Sequence, residues 1–579
     1  MTSSWTRTYR SKAASRYGLS GQIAAAACRI WAIQLALAPE LGAHSPMTES
    51  ENATLNRAFM RLARRSERVD RGRLVDTFVN VGPLLTLVSS DDHQIIFGRR
   101  GTGKTHVLNY LSDIRANEDD VVIYVDLSNI GSSGGIYADP SLPVTERATR
   151  LLVDTLLAVH DTLYDHFVDA AERHDLSRTG PLLDRFGDTI TEVRVVGEIS
   201  TSDSRGARTR TKRSSGTDIG LSGSSVDVGL RAEMEQERES EAQEKITRRG
   251  NERHSVHFGS ARRTWEEMIE IIQPRRVWLL LDEWSSVPIE LQPYLADLVR
   301  RSIFPVRGVT VKIAAIEQRA AFSLPLERGN YLGIEVGADA AADVNLDDFM
   351  VFDNDSVRAR AFYRSLLYKH LQSTDVYQAA SIDLRTEVEF LRLAFTQVNT
   401  FDELVRASEG VPRDAINIVI QAAQYAGSRP IAVEDVRRAA HAWYQRDKEA
   451  AVRSSDTAAA LLHWIIKEVI AQRRARAFLL RSDAKDPLIE TLFDSRVLHI
   501  LKRNISTHDE PGTRYHVYKL DYGCYVDLIA TARAPAGLFK LDTAQPDGSI
   551  QYVEVPPDDY RAIRRAVLRV EDFYQRPVR

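Results

Sequence analysis

"GRRGTGKT", Gly98 to Thr105, is the stretch that decides how this chain folds. It fits the spacing G-x-x-x-x-G-K-[ST], follows the apolar run "HQIIFG" (93–98) and opens the helical pattern "KTHVLNYLSDIR". A strand, a glycine-rich turn and a helix start, in that order, make a cradle for phosphate. Glycine lets backbone amides turn inward where a side chain would obstruct them, and the helix N-terminus adds a field that favours an anion. Gly98, Arg99, Arg100, Gly101, Thr102, Gly103, Lys104 and Thr105 are therefore the expected nucleotide-binding set. Lys104 is expected to reach the β- and γ-oxygens, and the Thr105 hydroxyl to bind Mg2+.

A loop of this kind needs a carboxylate partner, and "VWLLLDE" (277–283) offers one. Five apolar residues bury a parallel strand, and Asp282 emerges at its C-terminal edge, where ligands of α/β sheets bind. Asp282 is expected to hold Mg2+ through water, and Glu283 to polarise the attacking water. The chain lacks an N/T-K-x-D guanine-reading motif, so the expected nucleotide is ATP.

At 579 residues the chain is too long for one ordinary core. Its 43% hydrophobic and 27% charged residues are those of a soluble globular protein. A formal charge of -4 gives no global attraction to nucleic acid or anionic membrane, so such binding needs a local patch. Two cysteines, Cys28 and Cys524, exclude a disulfide framework and fit a reducing, cytoplasmic compartment. The acid-free residues 1–39 hold the apolar run "IAAAACRIWAIQLALA", which resembles a targeting peptide but is too short to span a membrane. The expectation for residues 1–50 is a disordered or peripheral extension, or a true start at Met47.

Beyond the loop, "DVVIYVDLS" (120–128) and "GVTVKIAAIEQR" (308–319) read as further strands. Residues 197–250 are rich in Ser, Thr, Gly and Arg and read as an inserted segment, either mobile with a solvated helix or carrying a hairpin over "TDIGLSGSSVDVGLR". From about residue 354 the pattern is almost wholly helical. From about 456 helix and strand mix, with a strand pair expected over "RYHVYKL-DYG-CYVDLI".

The helical region holds "EGVPRDAINIVIQAA" (409–423), with Pro412 and Asp414 as ordinary helix-start residues and a buried apolar face behind them. The order of loop, Asp-Glu strand, further strand, helical lid and this Gly-x-Pro-Arg resembles the AAA+ ATPases over about residues 70–450. The branch it resembles is that of origin-recognition and replication-initiator ATPases, with the STAND signalling ATPases as neighbours. The resemblance implies that Arg413 is the sensor-2 arginine, that "PIAVEDVRRAAHAWY" (430–444) closes the lid, and that "DTFVNVGPLLTLV" (76–88) lies along the adenine. It implies a polar sensor after the fourth strand, where "AAIEQR" offers Glu317, Gln318 or Arg319; Gln318 is favoured because a second acid would repel phosphate. It also implies an arginine finger acting between subunits, with Arg328 the candidate and Arg300, Arg301 and Arg319 its rivals.

The last region resembles a winged helix. Arg496, His499, Lys502 and Arg503 near its expected second and third helices, and Arg514 and Lys519 on its strands, could meet duplex DNA, or the domain could dock a protein partner. The expected fold is multidomain α/β: a P-loop NTPase, AAA+-like parallel-sheet core over 51–350 with the 197–250 insertion, a helical lid over 351–450, and a winged-helix-like α+β domain over 451–579. The expected function is a Mg-dependent ATPase switch that self-associates with ATP and acts on DNA. The alternative is a STAND-like signalling or defence ATPase that oligomerises with ATP and acts through a protein partner.

Overall fold

The computed structural model describes residues 49–526, apart from 197–250 and short breaks at 65–68, 131–136, 138, 170–175, 192, 255–256, 273–274, 351–354, 381–383, 473–474, 476, 485, 507–511 and 525, together with residues 566–575. The readings of residues 1–48 and of a hairpin within 197–250 lie outside the described residues.

Helices α1 (Glu49–Met60), α2 (Arg71–Thr77) and α3 (Leu84–Val88) lead into strand β1 (Gln94–Phe97) and helix α4 (Lys104–Asn117). Then come β2 (Val121–Asp126), α5 (Val144–Asp169), α6 (Leu176–Thr191), β3 (Val193–Val196), β4 (Asn251–His254), α7 (Phe258–Ile272) and β5 (Val277–Asp282). Helix α8 (Gln292–Ser302), β6 (Val309–Ala315), the hairpin β7 (Ser323–Pro325) and β8 (Tyr331–Gly333), and β9 (Ala341–Asn345) complete the core. Five of these strands form one parallel sheet in the order β2-β5-β6-β1-β9, which places the loop-bearing β1 inside the sheet. The insertion leaves and returns through an antiparallel ribbon that pairs Val193 with His254 and Val196 with Asn251.

Alternation along each strand decides which layer a residue joins. Ile95, Ile123, Leu279, Leu281 and Ile313 face the layer of α5, α6, α7 and α8, whereas Ile96, Trp278, Leu280 and Ala314 face α4 and the N-terminal helices. Strand β6 is buried at every position, including Lys312. Its ammonium donates to the Asp92 carbonyl (3.0 Å) and Gln94 Oε1 (3.1 Å), and burial pushes its pKa down to about 8.

After β9, helix α9 (Leu346–Met350) leads to a helical lid: α10 (Ser356–Gln372), α11 (Asp375–Gln378), α12 (Glu387–Ala394), α13 (Val398–Ala407), α14 (Pro412–Ala426) and α15 (Val433–Trp443). Helix α1 packs on this lid. Asn56 Nδ2 donates to the carbonyls of Gly427 and Arg429, both at 2.9 Å, and Phe59 lies against Phe390 and Phe395 with ring centroids 5.9 and 6.4 Å away.

The C-terminal α+β domain runs through α16 (Asp456–Ile465), β10 (Ala477–Arg481), α17 (Pro487–Asp494), β11 (Leu498–Ser506) and β12 (Arg514–Leu520). Its antiparallel sheet has the order β10-β12-β11, with Leu479 also bridging in parallel to Val567. Two sequence expectations are corrected here. Residues 498–506 are a strand and not part of a helix, because β12 pairs with them from Leu498↔Leu520 to Ser506↔Arg514. The strand pair does not turn at Asp521-Tyr522-Gly523, since Tyr522–Cys524 is a single 3-10 turn with Tyr522 and Gly523 buried against the lid.

Phe59 fills a site closed by two other aromatic rings, so Phe59→Ala should lower stability by about 3–5 kcal/mol, read as a fall in the urea midpoint. A midpoint within error of the wild type would mean that α1 is an appendage on the lid.

Candidate functional site

The loop after β1 has the conformation its glycines predict. Gly101 and Gly103 have φ of 86° and 96°, in the left-handed region. A Cβ at Gly98 would stand 2.6 Å from Thr102 Oγ1, and that hydroxyl donates back to the Arg99 carbonyl at 2.8 Å. Lys104 is buried, and its ammonium donates to the carbonyls of Gly98 (3.0 Å) and Arg99 (3.2 Å). Burial lowers its pKa, against the pull of Glu283 and Asp282.

Strand β5 delivers both acids to the same place. Asp282 is buried, and its carboxylate accepts the Glu283 N–H (2.8 Å) and the Tyr124 hydroxyl (2.6 Å). Glu283 follows at φ 52°, a left-handed turn that swings its side chain into the cleft. Burial raises its pKa, and the charge of Lys104 holds it down in part. A carboxyl held above its ordinary range is the better proton acceptor near neutrality.

The lid arrives at the loop through the start of α14. Glu409 (φ 50°) and Gly410 (φ 78°) turn the chain, and Pro412 takes the first helical position. First-turn amides have no partner within their own helix, and that of Arg413 donates to the Gly101 carbonyl at 3.2 Å. A Cβ on Gly101 would lie 2.9 Å from Arg413 Cβ and 3.0 Å from Val411 Cγ1, so only glycine permits this approach.

Between loop and lid lies a cleft of about 570 Å³. Arg100, Gly101, Gly103, Lys104, Thr105, Glu283 and Arg413 line it together. Its far end is built by Arg61, Arg64, Asp70, Arg73, Leu74 and Thr77 of the N-terminal segment and by His370 and Thr374 of the lid. Of 76–88, expected along the base, Thr77 is the residue lining the cleft. Sequence reasoning missed His106 and His370, which meet edge to face at 6.3 Å. Burial pushes His370 down to about 3, with His106 and Lys369 adding to the effect, so it enters the cleft as a neutral imidazole. A lone histidine in a helical pattern gives no signal of this.

Other expected site residues lie elsewhere. Gln318 sits on a 3-10 turn after β6 and does not line the cleft. Its neighbours face the C-terminal domain, where Glu317 pairs with Arg503 and Arg319 with Asp494. Arg328 lies on the turn of the β7–β8 hairpin. Arg300 pairs with Asp297 and lies over the Tyr331 ring, while Arg301 pairs with Asp297 and lies over Phe258.

Arg99 points away from the cleft. Its guanidinium binds Asp347 (2.7 Å), the Glu409 carbonyl (2.9 Å) and His499 Nδ1 of the C-terminal domain. His499 Nε2 faces Asp521 at 2.8 Å. Asp521 and Asp414 share Lys448, and Asp414 also binds Arg496, which reaches Asp447. Lys519 pairs with Glu409 at 2.7 Å. Arg496, His499 and Lys519, read from sequence as candidates for DNA contact, are thus buried side chains that join the C-terminal domain to the loop and lid. Arg514 remains exposed.

No protein-family model matches the chain, and no curated protein matches it. Among solved structures it is similar to the Orc1 protein of Aeropyrum pernix in complex with DNA, at 12% identity over 78% of this chain and 94% of that one, with a TM-score of 0.29. At that identity and score the likeness adds nothing to what the sheet order and the loop establish. No helix among the described residues is long and apolar enough to cross a membrane.

Burial pushes His499 down to about 3, with the Arg99 charge adding to it against Asp521. It is therefore neutral when folded and takes up a proton on unfolding anywhere below its ordinary value of 6.5. The unfolded state then binds more protons, so stability should fall as pH drops from about 6.5 towards 3. His370 acts with the same sign. His499→Gln should flatten the fall without abolishing it, as read from urea midpoints at pH 5 and pH 7.5; an equal fall in both proteins would refute the buried neutral imidazole.

Proposed function

We propose that the chain binds ATP with Mg2+ in this cleft, hydrolyses it, and uses the cycle as a switch between lid-closed and lid-open states. The observation that carries the reading is that Lys104, Thr105, Glu283 and Arg413, from three separate elements, line one cleft. The Arg413 amide rests on the Gly101 carbonyl, which keeps the lid helix against the phosphate loop.

The residues fit the groups proposed for them. Two left-handed glycines shape the cradle, and a hydroxyl and a carboxylate, Thr105 and Asp282, are the hard oxygen donors Mg2+ takes. When bound, the ion would neutralise charge developing on the phosphate oxygens. Lys104 would exchange its bonds to the Gly98 and Arg99 carbonyls for the β- and γ-oxygens. Glu283 would orient the attacking water and accept its proton, and Arg413 would contact the γ-phosphate, so that its contribution ends with hydrolysis. Gln318 is proposed as the second polar sensor and Arg328 as a finger acting on a neighbouring subunit. Both roles require arrangements in which these residues meet a nucleotide.

For the output, duplex DNA at the C-terminal domain and a protein partner are the two readings. The inward orientation of Arg496, His499 and Lys519 favours the partner. It supports the STAND-like alternative, in which ATP drives self-association and signalling or defence output comes through another protein.

Lys104→Ala should abolish nucleotide binding. Glu283→Gln should retain binding while lowering kcat about 10²–10⁴-fold. Arg413→Ala should weaken ATP binding more than ADP binding. The measurement is steady-state hydrolysis beside equilibrium titration, with and without duplex DNA at several salt concentrations. Equal ATP and ADP losses in Arg413→Ala would remove the sensor role, and DNA-stimulated turnover with a steep salt dependence would reject the partner reading.

A further inference from the structure

Asp282 lies in a nearly closed site, 1% exposed, and both its carboxylate oxygens are held by neighbouring donors. Oδ1 is held locally, by the amide of Glu283. Oδ2 is held by Tyr124, which stands on the neighbouring strand β2 opposite Leu280, two residues before the register pair Asp126↔Asp282. A carboxylate has about four lone-pair sites. These two donors occupy one on each oxygen and leave the others for a further ligand.

The Tyr124 hydroxyl has a further polar neighbour in the Asn109 side chain. Asn109 belongs to α4, and its Nδ2 donates to the Thr105 carbonyl at 2.8 Å, one helical turn back. Tyr124 and Asn109 therefore stand between the two residues proposed to hold the divalent cation, Asp282 on β5 and Thr105 on α4. We propose that Tyr124 is a positioning residue for that cation: its hydroxyl sets the rotamer of Asp282, and with Asn109 it fixes the spacing between the strand end and the helix start.

The choice of a phenol is chemically apt. An arginine or lysine in this place would neutralise the carboxylate and compete with a cation, whereas a neutral donor orients it and leaves its charge intact. Losing such an outer partner typically lowers metal affinity about 10–100-fold.

This inference rests on the reading of the cleft as an Mg2+–ATP site, and the test separates the two. A fluorescent ATP analogue is titrated into wild type and Tyr124→Phe, first in EDTA and then with increasing Mg2+. The expected result is equal affinity in EDTA, with the Mg2+ concentration at half-maximal enhancement raised about 10–100-fold in the variant. Equal Mg2+ midpoints overturn the positioning role and leave the nucleotide site standing. A wild type that binds no analogue, or binds it without response to Mg2+, overturns the cation reading and this role with it. Should Tyr124→Phe fail to fold, Asn109→Ala decides: it keeps the Tyr124–Asp282 bond but frees its other side, and an unchanged midpoint there also overturns the proposal.

Discussion

Asp414 is fully buried, and a buried carboxylate is tolerated only when paired. Its partners, Lys448 at 2.8 Å and Arg496, come from the segment after the lid and from the C-terminal domain. Burial alone would raise the Asp414 pKa, and these two cations hold it below the ordinary carboxylate range. Removing one partner of such a pair costs about 3–5 kcal/mol, so the first turn of α14 depends on residues far along the chain. Arg413 is the next residue, and its place at the cleft is inherited from that anchor. Lid, cleft and C-terminal domain are thus constrained together by one cluster of charge.

The same cluster reaches the phosphate loop from behind. Arg99 takes the Glu409 carbonyl and His499, while its own carbonyl accepts Lys104. The loop backbone lies between a cleft-lining lysine and a buried arginine bound to the C-terminal domain. In the proposed cycle, drawing Lys104 to a phosphate would release the carbonyl of the residue whose guanidinium holds the C-terminal domain. His499 has its place in the chain because it is neutral: Nδ1 accepts from Arg99 and Nε2–H donates to Asp521. A charged imidazole could only donate and would face the guanidinium as a like charge.

Residues whose role follows from local geometry were legible in the sequence. Gly101 and Gly103 announce left-handed turns, "VWLLLDE" announces a buried strand ending in acids, and Pro412-Arg413 announces a helix start. The parallel core, the helical lid and an α+β C-terminal region follow from such patterns. What escaped depends on distance in the chain. Asp414, Lys448, Arg496 and Asp521 each resemble an ordinary surface charge until the fold brings them together, so in the sequence Arg496 and His499 read as residues facing a partner. Residues 498–506 mix apolar and basic positions without strict alternation, and their strand character comes from pairing with β12. Arg99 sits at a variable position of the loop motif, where the motif is silent about direction. Tyr124 is one residue of an alternating strand, and nothing beside it signals Asp282.

The boundaries of the C-terminal domain differ in chemistry. Lid and C-terminal domain share an apolar cluster that also takes in Ile96, Leu280 and Val344 of the core, and Tyr444 packs so closely on Gly523 that a Cβ there would lie 2.2 Å from Tyr444 Cβ. The core meets the C-terminal domain through the Arg99–His499 hydrogen bond and the ion pairs Glu317–Arg503 and Arg319–Asp494. Apolar contacts of precise shape favour one arrangement strongly, whereas paired charges stand near balance between desolvation and attraction. A near-balanced contact is one that a modest bias can shift. In the switch proposed above, the polar contacts between core and C-terminal domain would be the ones to shift. Glu317 and Arg319 would then act as latches. They stand at the end of β6, where a core strand meets the C-terminal domain.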